Sequence, residues 1–335
     1  MKTRRDCITV IFTLDLITMG SGRIFREYLG LRARVYFGSI CLSVLVGLGW
    51  AEEPESVRVA TYNIRNYLTM DRLVEGRWRP EYPKPESEKK VVRETILAVR
   101  PDLIALQEIG KRAHLLELQR DLASEGLEYS GSAWLEAHDS ERHLAALWTA
   151  NLDVRIVEHP NLPIRYMGEV DFVKRGMLEL RIEDDKAEWS LFNLHLKSKY
   201  TTVKSDPLSN QRRTLEGRAA RDRILDVYPN PNEARYLIVG DLNDSPISGA
   251  VRAFLRKGKR DLSLAIECSD DLGSRWTHYY RKEDSYSRID YILRSPGWEN
   301  SLDGVKGHVY RRPDYYGGSD HRLVWVDLPT RPGSD

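Results

Sequence analysis

Cysteine, long apolar segments and an excess of charge of either sign are all scarce in this 335-residue chain. It contains three cysteines, and 51 Lys and Arg residues are balanced by 50 Asp and Glu residues, for a net charge of +1. Such a chain has no overall positive field for coating a nucleic acid, so any polyanion must be held locally. With 41% hydrophobic and 30% charged residues, the composition also excludes collagen, coiled coil, low-complexity disorder and a polytopic membrane protein. We expect a globular protein with a large core.

The longest uncharged segment lies near the N-terminus, from Val35 to Ala51. Its 17 residues fall short of the roughly 20 apolar residues that a membrane-spanning helix needs. Arginines precede it, and Gly49 and Ala51 occupy the −3 and −1 positions of a possible cleavage site, a pattern typical of a secretory signal peptide. We therefore predict that residues 1–51 direct export to the cell envelope, the periplasm or the medium. An uncleaved membrane anchor is the alternative.

Removal of this segment changes the charge and the cysteine count of the chain. Residues 52–335 carry 44 basic and 47 acidic residues, a net charge of −3. Cys7 and Cys41 leave with the segment, and Cys268 alone cannot form an intramolecular disulfide. This pattern indicates an exported, bacterial-type protein whose core is large enough to do without disulfides. Because the region before Met19 lengthens the basic part of the signal, translation starting at Met19 is a further hypothesis.

Short apolar runs and helical periodicity alternate through residues 52–335, with no linker, repeat or change of composition, which predicts one α/β domain. The predicted strands are Val57–Tyr62, Leu103–Gln107, Leu144–Trp148, Leu178–Ile182, Trp189–His195, Tyr236–Gly240, Ile289–Leu293 and Leu323–Asp327. The predicted helices are Ser87–Val99, Arg112–Ala123, Gln211–Val227 and Ser248–Lys257. Three long polar loops, of the kind that often shape substrate selection, are predicted at Tyr67–Glu86, Lys197–Asn210 and Glu267–Ser287.

Side chains that can bind a metal or move a proton recur at the ends of the apolar runs. A residue at a strand end is fixed by a packed scaffold, which suits a catalytic group. Each one alone has an ordinary explanation as a turn residue, a solvated charge or a hydrogen-bonded histidine. In chain order they are Asn63, Glu108, His195, Asp241, Asn243, Asp290, Asp320 and His321.

The ordered motifs TYNIRN, LQE, NLHLKS, GDLND, RIDYIL and SDHRLV resemble those of the endonuclease/exonuclease/phosphatase superfamily. That superfamily includes deoxyribonuclease I, AP endonucleases, neutral sphingomyelinases and inositol-polyphosphate 5-phosphatases. The motifs lie between Val57 and Leu328 and so span essentially all of the chain after the export segment. The resemblance implies a four-layer α/β sandwich, with two mixed β-sheets packed face to face and helices on the outer faces. It also implies divalent-metal-dependent hydrolysis of phosphoester bonds.

Under this resemblance, Asn63 and Glu108 match metal-site residues of the family, with Asp320 close by. A carboxylate is a hard oxygen ligand of the type that Mg²⁺ or Mn²⁺ prefers, so the expected cofactor is one of these ions. Residues 52–335 contain no Cys/His cluster with the spacing of a zinc site.

The resemblance also implies catalytic roles. His321 matches the family's essential histidine, and Asp290 matches the carboxylate that hydrogen-bonds to it. His195 resembles the histidine of the deoxyribonuclease I and sphingomyelinase branches and would serve as, or assist, the general acid at the leaving oxygen. Asp241 would orient or deprotonate the attacking water, and Asn243 would hold a phosphoryl oxygen. The division of roles among the two histidines and Asp241 differs between family members and stays open.

Basic and hydroxyl side chains near these positions are candidate phosphate contacts, with ordinary solvated residues as the alternative. They are Arg175, Lys197, Ser198 and Lys199. The arginine-rich segment Gln211–Arg223 also contains acidic residues, so we interpret it as an exposed, salt-bridged helix face. Arg212 or Arg213, near its start, could still face the active cleft.

The sequence thus predicts an exported phosphodiesterase that uses in-line attack of water, with DNA or RNA as the leading substrate. The alternative is a phosphatase or a sphingomyelinase-like phospholipid phosphodiesterase. The net charge of −3 favours this alternative, but no amphipathic apolar hairpin for membrane insertion is evident. A third hypothesis is a non-catalytic binding protein on the same fold. No protein partner is implied, and membrane association is expected only with an uncleaved N-terminal segment.

Overall fold

The computed structural model describes residues 56–184, 187–298, 301–313 and 317–329. The predicted export segment, residues 1–51, and the hypothetical start at Met19 lie outside the described residues. Within the described ranges, no helix has the length and apolar character required to cross a membrane.

The described residues form strands, four α-helices and a short 3₁₀ helix at Pro296–Trp298. The helices are α1 (Glu86–Val99), α2 (Arg112–Ser124), α3 (Asn210–Val227) and α4 (Gly249–Leu255). The strands are β1 (Ser56–Tyr67), β2 (Met70–Val74), β3 (Arg77–Tyr82), β4 (Leu103–Ile109), β5 (Gly131–Leu135), β6 (His143–Trp148), β7 (Asp153–His159), β8 (Pro163–Tyr166), β9 (Glu169–Phe172), β10 (Met177–Asp184), β11 (Ala187–His195), β12 (Tyr236–Asp241), β13 (Arg256–Lys257), β14 (Arg260–Asp261), β15 (Leu264–Ala265), β16 (Cys268–Ser269), β17 (His278–Tyr280), β18 (Ser285–Ser287), β19 (Asp290–Arg294), β20 (Gly307–Val309) and β21 (Val324–Pro329). Every predicted strand and helix is present, with shifted ends.

Most strands belong to two large mixed sheets. The first sheet has the strand order β16-β20-β21-β1-β4-β6-β5, and the second has the order β15-β19-β12-β11-β10-β7. Strand β1 pairs in parallel with β4 and antiparallel with β21, while β11 pairs in parallel with β12 and antiparallel with β10. The other strands form the two-stranded hairpins β2–β3, β8–β9, β13–β14 and β17–β18.

The sheets pack face to face with helices outside them. Alternate side chains of β1 show this, because successive residues of a strand point to opposite faces. Val57 and Val59 lie in the apolar cluster between the sheets, whereas Ala60 and Tyr62 lie in the cluster beneath α1 and α2. A third cluster joins the second sheet to α3 and α4. The expected four-layer α/β sandwich is therefore confirmed.

Two of the three predicted loops contain regular structure. The segment Tyr67–Glu86 forms the β2–β3 hairpin, and Glu267–Ser287 contains β16 and the β17–β18 hairpin. Residues between β11 and α3 form neither helix nor strand. All three segments adjoin strand ends that carry candidate site residues, so they surround that edge of the sandwich.

Candidate active site

The second sheet places three candidate residues side by side at one edge. His195 is the last residue of β11 and pairs in register with Asp241, the last residue of β12. Asp241 in turn pairs with Asp290, the first residue of β19. The three side chains are buried. Their proximity follows directly from the register of three neighbouring strands.

His321 joins this group from the segment before β21. Its Nδ1 lies 2.9 Å from Asp290 Oδ2, and its Nε2 lies 3.8 Å from Asp241 Oδ2. Burial lowers the pKa of the imidazole, but Asp290 and Asp241 outweigh that effect and raise the pKa to about 10. His321 therefore holds a positive charge at neutral pH. An imidazolium fixed between two carboxylates can donate a proton or stabilise negative charge on a phosphoryl oxygen.

Asp241 lies at the centre of the site. Its Oδ2 accepts hydrogen bonds from the amide groups of Asn63 at 3.1 Å and Asn243 at 3.0 Å, and its Oδ1 accepts from the Asn243 backbone N–H at 2.8 Å. Burial raises the pKa of this carboxyl to about 7, although the charge of His321 opposes the rise. A carboxylate with a pKa near neutrality is suited to general-base chemistry.

His195 differs electrostatically from His321. Burial, assisted by the positive charges of Arg175 and His321, holds its pKa well below the usual range, so its imidazole is neutral. Its Nε2 is 3.5 Å from Asp241 Oδ2 and 3.9 Å from Glu108 Oε1, which are contacts of a neutral ring and not ion pairs. Its Nδ1 has no hydrogen-bond partner among the described residues.

The first sheet contributes Asn63 and Glu108 from the parallel strands β1 and β4. The Asn63 amide donates to Glu108 Oε1 at 3.4 Å as well as to Asp241, and its carbonyl oxygen accepts from the Arg65 N–H at 3.0 Å. Glu108 Oε2 accepts the Asn66 N–H at 2.8 Å. As placed, Asn63 orients the carboxylates of Glu108 and Asp241.

An irregularity in this sheet makes these contacts possible. The register between β1 and β4 shifts between Asn63 and Tyr67, and Arg65, Asn66 and Glu108 have positive φ angles of 43°, 49° and 62°. Residues other than glycine rarely adopt such angles, and their cost is offset by surrounding structure. We call the two residues Arg65 and Asn66 the β1 bulge. It turns an N–H group toward the Glu108 carboxylate.

Asp320 and an unpredicted residue, His278, complete the edge. Asp320 Oδ2 lies 3.4 Å from Arg65 Nε, so this carboxylate is ion-paired with a residue of the β1 bulge. The His278 ring centroid is 4.7 Å from that of His321. Burial and the charge of His321 lower the pKa of His278 to about 4. A lone histidine in a polar segment carried no sequence signal that could identify it, apart from its position shortly before the RIDYIL motif.

Oxygen and nitrogen donors converge at this edge in a way that fits a divalent cation. Within the described residues, two groups of three have ligand atoms within 4.8 Å of one another: Asp241, Asp290 and His321, and His278, Asp320 and His321. The charged His321 has no lone pair for a metal, so the other members of the two groups are the possible ligands. Glu108 belongs to neither group but is close enough to Asp241 to raise its pKa. Crowded carboxylates of this kind are relieved by a cation, and their hard oxygens suit Mg²⁺ or Mn²⁺.

The four candidate phosphate contacts are placed differently from one another. Arg175 is buried, and its Nε is 2.8 Å from Asp139 Oδ2. The Lys197 ammonium donates to Ser198 Oγ at 3.2 Å and to carbonyl oxygens of its own loop, and burial lowers its pKa to about 8. Lys199 is the one exposed residue of the four, so it is the candidate most accessible to a substrate.

The interpretation of Gln211–Arg223 as an exposed helix face is wrong for its first half. Arg213 is fully buried and donates to Asp244, to the Lys197 carbonyl and to the Leu208 carbonyl, and Arg212 pairs with buried Glu216. A buried guanidinium is stable only when its donors are paired. Arg213 thus ties together the loops that follow β11 and β12 and does not enter the cleft.

Comparison with known proteins agrees with this geometry. The model of the endonuclease/exonuclease/phosphatase family matches residues 60–321. No curated protein matches the chain. Similar solved structures include the human Nocturnin catalytic domain with bound sulfate, at 18% identity and a TM-score of 0.53, covering 81% of this chain and 93% of that one. Truncated Caenorhabditis elegans TDP2 is 17% identical with a TM-score of 0.53, and the match covers 82% of this chain and 97% of that one. Sphingomyelinase C from Streptomyces griseocarneus is 17% identical with a TM-score of 0.56, and the match covers 82% of this chain and 98% of that one. These low identities show a shared fold alone. The match to the family model over most of the described chain shows that the protein belongs to the endonuclease/exonuclease/phosphatase family, a family of phosphoesterases.

Proposed function

We propose that this protein is a divalent-cation-dependent phosphodiesterase that hydrolyses nucleic acid. The observation that carries the proposal is the buried pair of opposite proton carriers: Asp241, whose pKa is raised to about 7, lies 3.8 Å from His321, whose pKa is raised to about 10. At neutral pH one group can accept a proton while the other holds one. General acid–base hydrolysis without a covalent enzyme intermediate needs this combination.

The chemistry follows from the placement of these groups. Asp241 orients and deprotonates the attacking water, and Asn63 and Asn243 hold its carboxylate in position by their amide groups. The His321 imidazolium, fixed by Asp290, stabilises the phosphoryl oxygens or protonates the leaving oxygen. Neutral His195 is a poorer proton donor and serves better as a hydrogen-bond partner of the phosphoryl group. We expect the rate to rise as the pH passes about 7 and to fall as it approaches about 10, where His321 loses its proton.

Glu108, Asp320 and the nearby Asn63 are the residues that would hold the cation. A divalent ion bound there would supply Lewis-acid polarisation of the phosphoryl group. The Asn66 N–H fixes Glu108 by a hydrogen bond to Oε2, which leaves Oε1 turned toward Asn63 and His195. The family typically uses a divalent metal, and the hard oxygen donors agree with that.

Hydrolysis assays on purified residues 52–335 test this function. Plasmid DNA and RNA would be incubated with Mg²⁺ or Mn²⁺, with and without a chelator, beside the variant His321→Ala. We expect cleavage that requires the cation and is lost in the variant. Absence of any cation-dependent cleavage in the wild-type protein, or cleavage that persists in His321→Ala, would contradict the proposal.

A lipid phosphodiester is the second candidate substrate, and exposed apolar side chains favour it. The segments that leave the site edge carry Leu73, Trp78, Tyr200, Leu208 and Ile247, all exposed. Clustered exposed apolar residues often mark an interaction surface, including a membrane surface. The hairpin with Leu73 and Trp78 was not evident from sequence. Phosphocholine release from sphingomyelin vesicles, without nuclease activity, would favour this candidate over nucleic acid.

We further propose that the protein is exported, on the basis of the composition of residues 1–51. N-terminal sequencing of the protein recovered from the periplasm or medium tests this. We expect a mature N-terminus at Glu52, whereas an intact Met1 would contradict both cleavage and the start at Met19.

A further inference from the structure

The β2–β3 hairpin follows the β1 bulge, which contacts the candidate metal ligand Glu108. It begins at Met70, just after the β1 bulge. The Arg72 guanidinium on β2 donates to the carbonyl oxygens of Asn66 and Leu68. Because the Asn66 N–H also holds Glu108, one bulge residue connects the hairpin to the site. The hairpin is therefore fixed to the catalytic edge by side-chain bonds and is more than a surface extension.

The two faces of this hairpin have different chemistry. Its register pairs Arg72 with Arg79, Leu73 with Trp78 and Val74 with Arg77. Since alternate residues of a strand share a face, the three arginines lie on one face and the apolar pair lies on the other. Arg72 reaches the β1 bulge from the arginine face, so that face is the one turned toward the bulge, whose Asn66 N–H binds Glu108.

Arg77 and Arg79 are exposed, and the structure gives neither guanidinium a hydrogen bond or a carboxylate partner among the described residues. Other arginines around the site are compensated: Arg65 pairs with Asp320, Arg142 with Glu141 and Arg175 with Asp139. Two uncompensated guanidinium groups next to a phosphoester site form a local anion-binding surface. A guanidinium binds phosphate through two parallel N–H donors, which makes arginine a favoured phosphate ligand.

We propose that Arg77 and Arg79 bind the phosphates that flank the scissile phosphodiester of a nucleic-acid strand, so that the β2–β3 hairpin is a substrate-binding arm. The inference rests on the proposed function. It also explains how a domain with a net charge of −3 engages a polyanion, since affinity for a nucleic acid depends on the phosphates neutralised locally. The arm selects for a chain of phosphodiesters, because a single phosphodiester has no flanking phosphate to offer it.

The test compares two double variants of the same hairpin. Arg77→Gln/Arg79→Gln removes the charges, and Leu73→Ser/Trp78→Ser changes the opposite face at positions that are also exposed. Binding of a fluorescein-labelled single-stranded oligonucleotide is measured by anisotropy, with a chelator present to prevent cleavage, over a range of salt concentrations. For the arginine variant we expect the slope of log Kd against log salt to fall by about 1.4, roughly 0.7 for each lost contact to a single strand.

Hydrolysis assays complete the comparison. We expect the arginine variant to lose at least about tenfold in kcat/KM on the oligonucleotide, since about 1.4 kcal/mol of lost binding is a tenfold change. Its hydrolysis of bis(p-nitrophenyl) phosphate should stay unchanged, because that substrate has no flanking phosphate. The apolar variant should keep both the salt slope and the oligonucleotide rate.

Two results would overturn the proposal. The first is an unchanged salt slope and oligonucleotide rate in the arginine variant. The second is loss of binding to sphingomyelin vesicles and of sphingomyelin hydrolysis in the apolar variant alone, which would make the hairpin a membrane contact. Failure of the proposed function is distinguishable from these: the wild-type protein would then leave every oligonucleotide uncut, while anisotropy would still report whether Arg77 and Arg79 bind a phosphate chain.

Discussion

The second sheet presents its site residues from a regular ladder, whereas the first sheet presents them from an irregular one. His195, Asp241 and Asp290 are register partners on three adjacent strands and have no positive φ angle themselves, although Gly240 before Asp241 and Asn243 after it have φ angles of 124° and 54°. Glu108 lies where both of its neighbouring ladders shift, and it has a positive φ angle, as do both residues of the β1 bulge. Left-handed angles at such residues cost on the order of 1 kcal/mol each.

Three positively charged side chains, Arg72, Arg142 and Lys84, hold the β1 bulge in place, and we call them the clamp. Arg72 donates to the Asn66 carbonyl, Arg142 donates to the Asn66 side chain at 2.8 Å, and Lys84 donates to the Arg65 carbonyl at 2.8 Å. The two sheets therefore fix different groups of the site. The regular sheet fixes Asp241 and, through Asp290, the ring of His321, and the clamped bulge fixes Glu108, which would hold the cation. The following variants separate these two contributions.

The largest effect is expected from His321→Ala in the proton-moving half. Loss of a positioned acid or base typically lowers a rate by about 10²–10⁴-fold. We expect a loss of this size in kcat for phosphodiester hydrolysis, with no recovery at high Mn²⁺ concentration. Steady-state kinetics over a range of Mn²⁺ concentrations measure both quantities. His308→Ala, at an exposed histidine on β20, is the matched control and should retain full activity.

The second variant, Glu108→Gln, removes a charge from the cation-binding half. We expect weaker Mn²⁺ binding by calorimetry, by more than the roughly 10–100-fold that loss of an outer partner costs. Activity should return in part as Mn²⁺ is raised, which distinguishes this variant from His321→Ala. Glu128→Gln, at an exposed glutamate, is the control. Unchanged Mn²⁺ affinity in Glu108→Gln would show that Glu108 is not a ligand of the cation, and the assignment of the cation site to the first sheet would be wrong.

The sequence predicts the site residues of the regular second sheet for a physical reason. Its central strands β11 and β12 are buried on both faces, and a polar residue at the end of such a buried, largely apolar strand is conspicuous. His195 and Asp241 lie at these ends of β11 and β12. By contrast, β7 is a largely exposed edge strand with charged residues. Its sequence has no apolar run, so the sequence does not predict this strand.

The clamp on the irregular half could not be predicted. Arg142 is 76 residues from Asn66 in the chain, and Lys84 is 19 residues from Arg65, with no periodic spacing to link them. Their contacts depend on the irregular backbone of β1 at Arg65 and Asn66. Ser319 is a similar case: its hydroxyl donates to the Asn63 carbonyl and accepts the His321 N–H, so it joins the two halves through backbone atoms.

A smaller effect is expected from Lys84→Met, which removes one donor of the clamp. Lys84 is buried, and burial lowers its pKa to about 8, yet its ammonium still bonds the Arg65 carbonyl and lies 3.2 Å from Glu88. We expect Mn²⁺ affinity to fall about tenfold, the lower end of outer-partner effects, in a folded protein. Lys90→Met, at an exposed lysine on α1, should change nothing. Equal Mn²⁺ affinities in the two variants would show that the bulge keeps its shape without the clamp.

The smallest expected change is a shift of charge in Asp290→Asn, read by NMR of the histidine rings with a chelator present. In the wild-type protein Asp290 helps to raise the pKa of His321 to about 10, so the ring is charged at pH 7. Loss of a neighbouring carboxylate should lower that pKa by about 1–3 units. The pKa of His278, about 4, should not rise, because His321 is still charged at that pH and Asp290 itself helps to raise the His278 pKa. A His321 pKa that stays near 10 would mean that Asp241 supports the proton alone. The charge of His321 would then depend on Asp241 of β12 and not on Asp290 of β19.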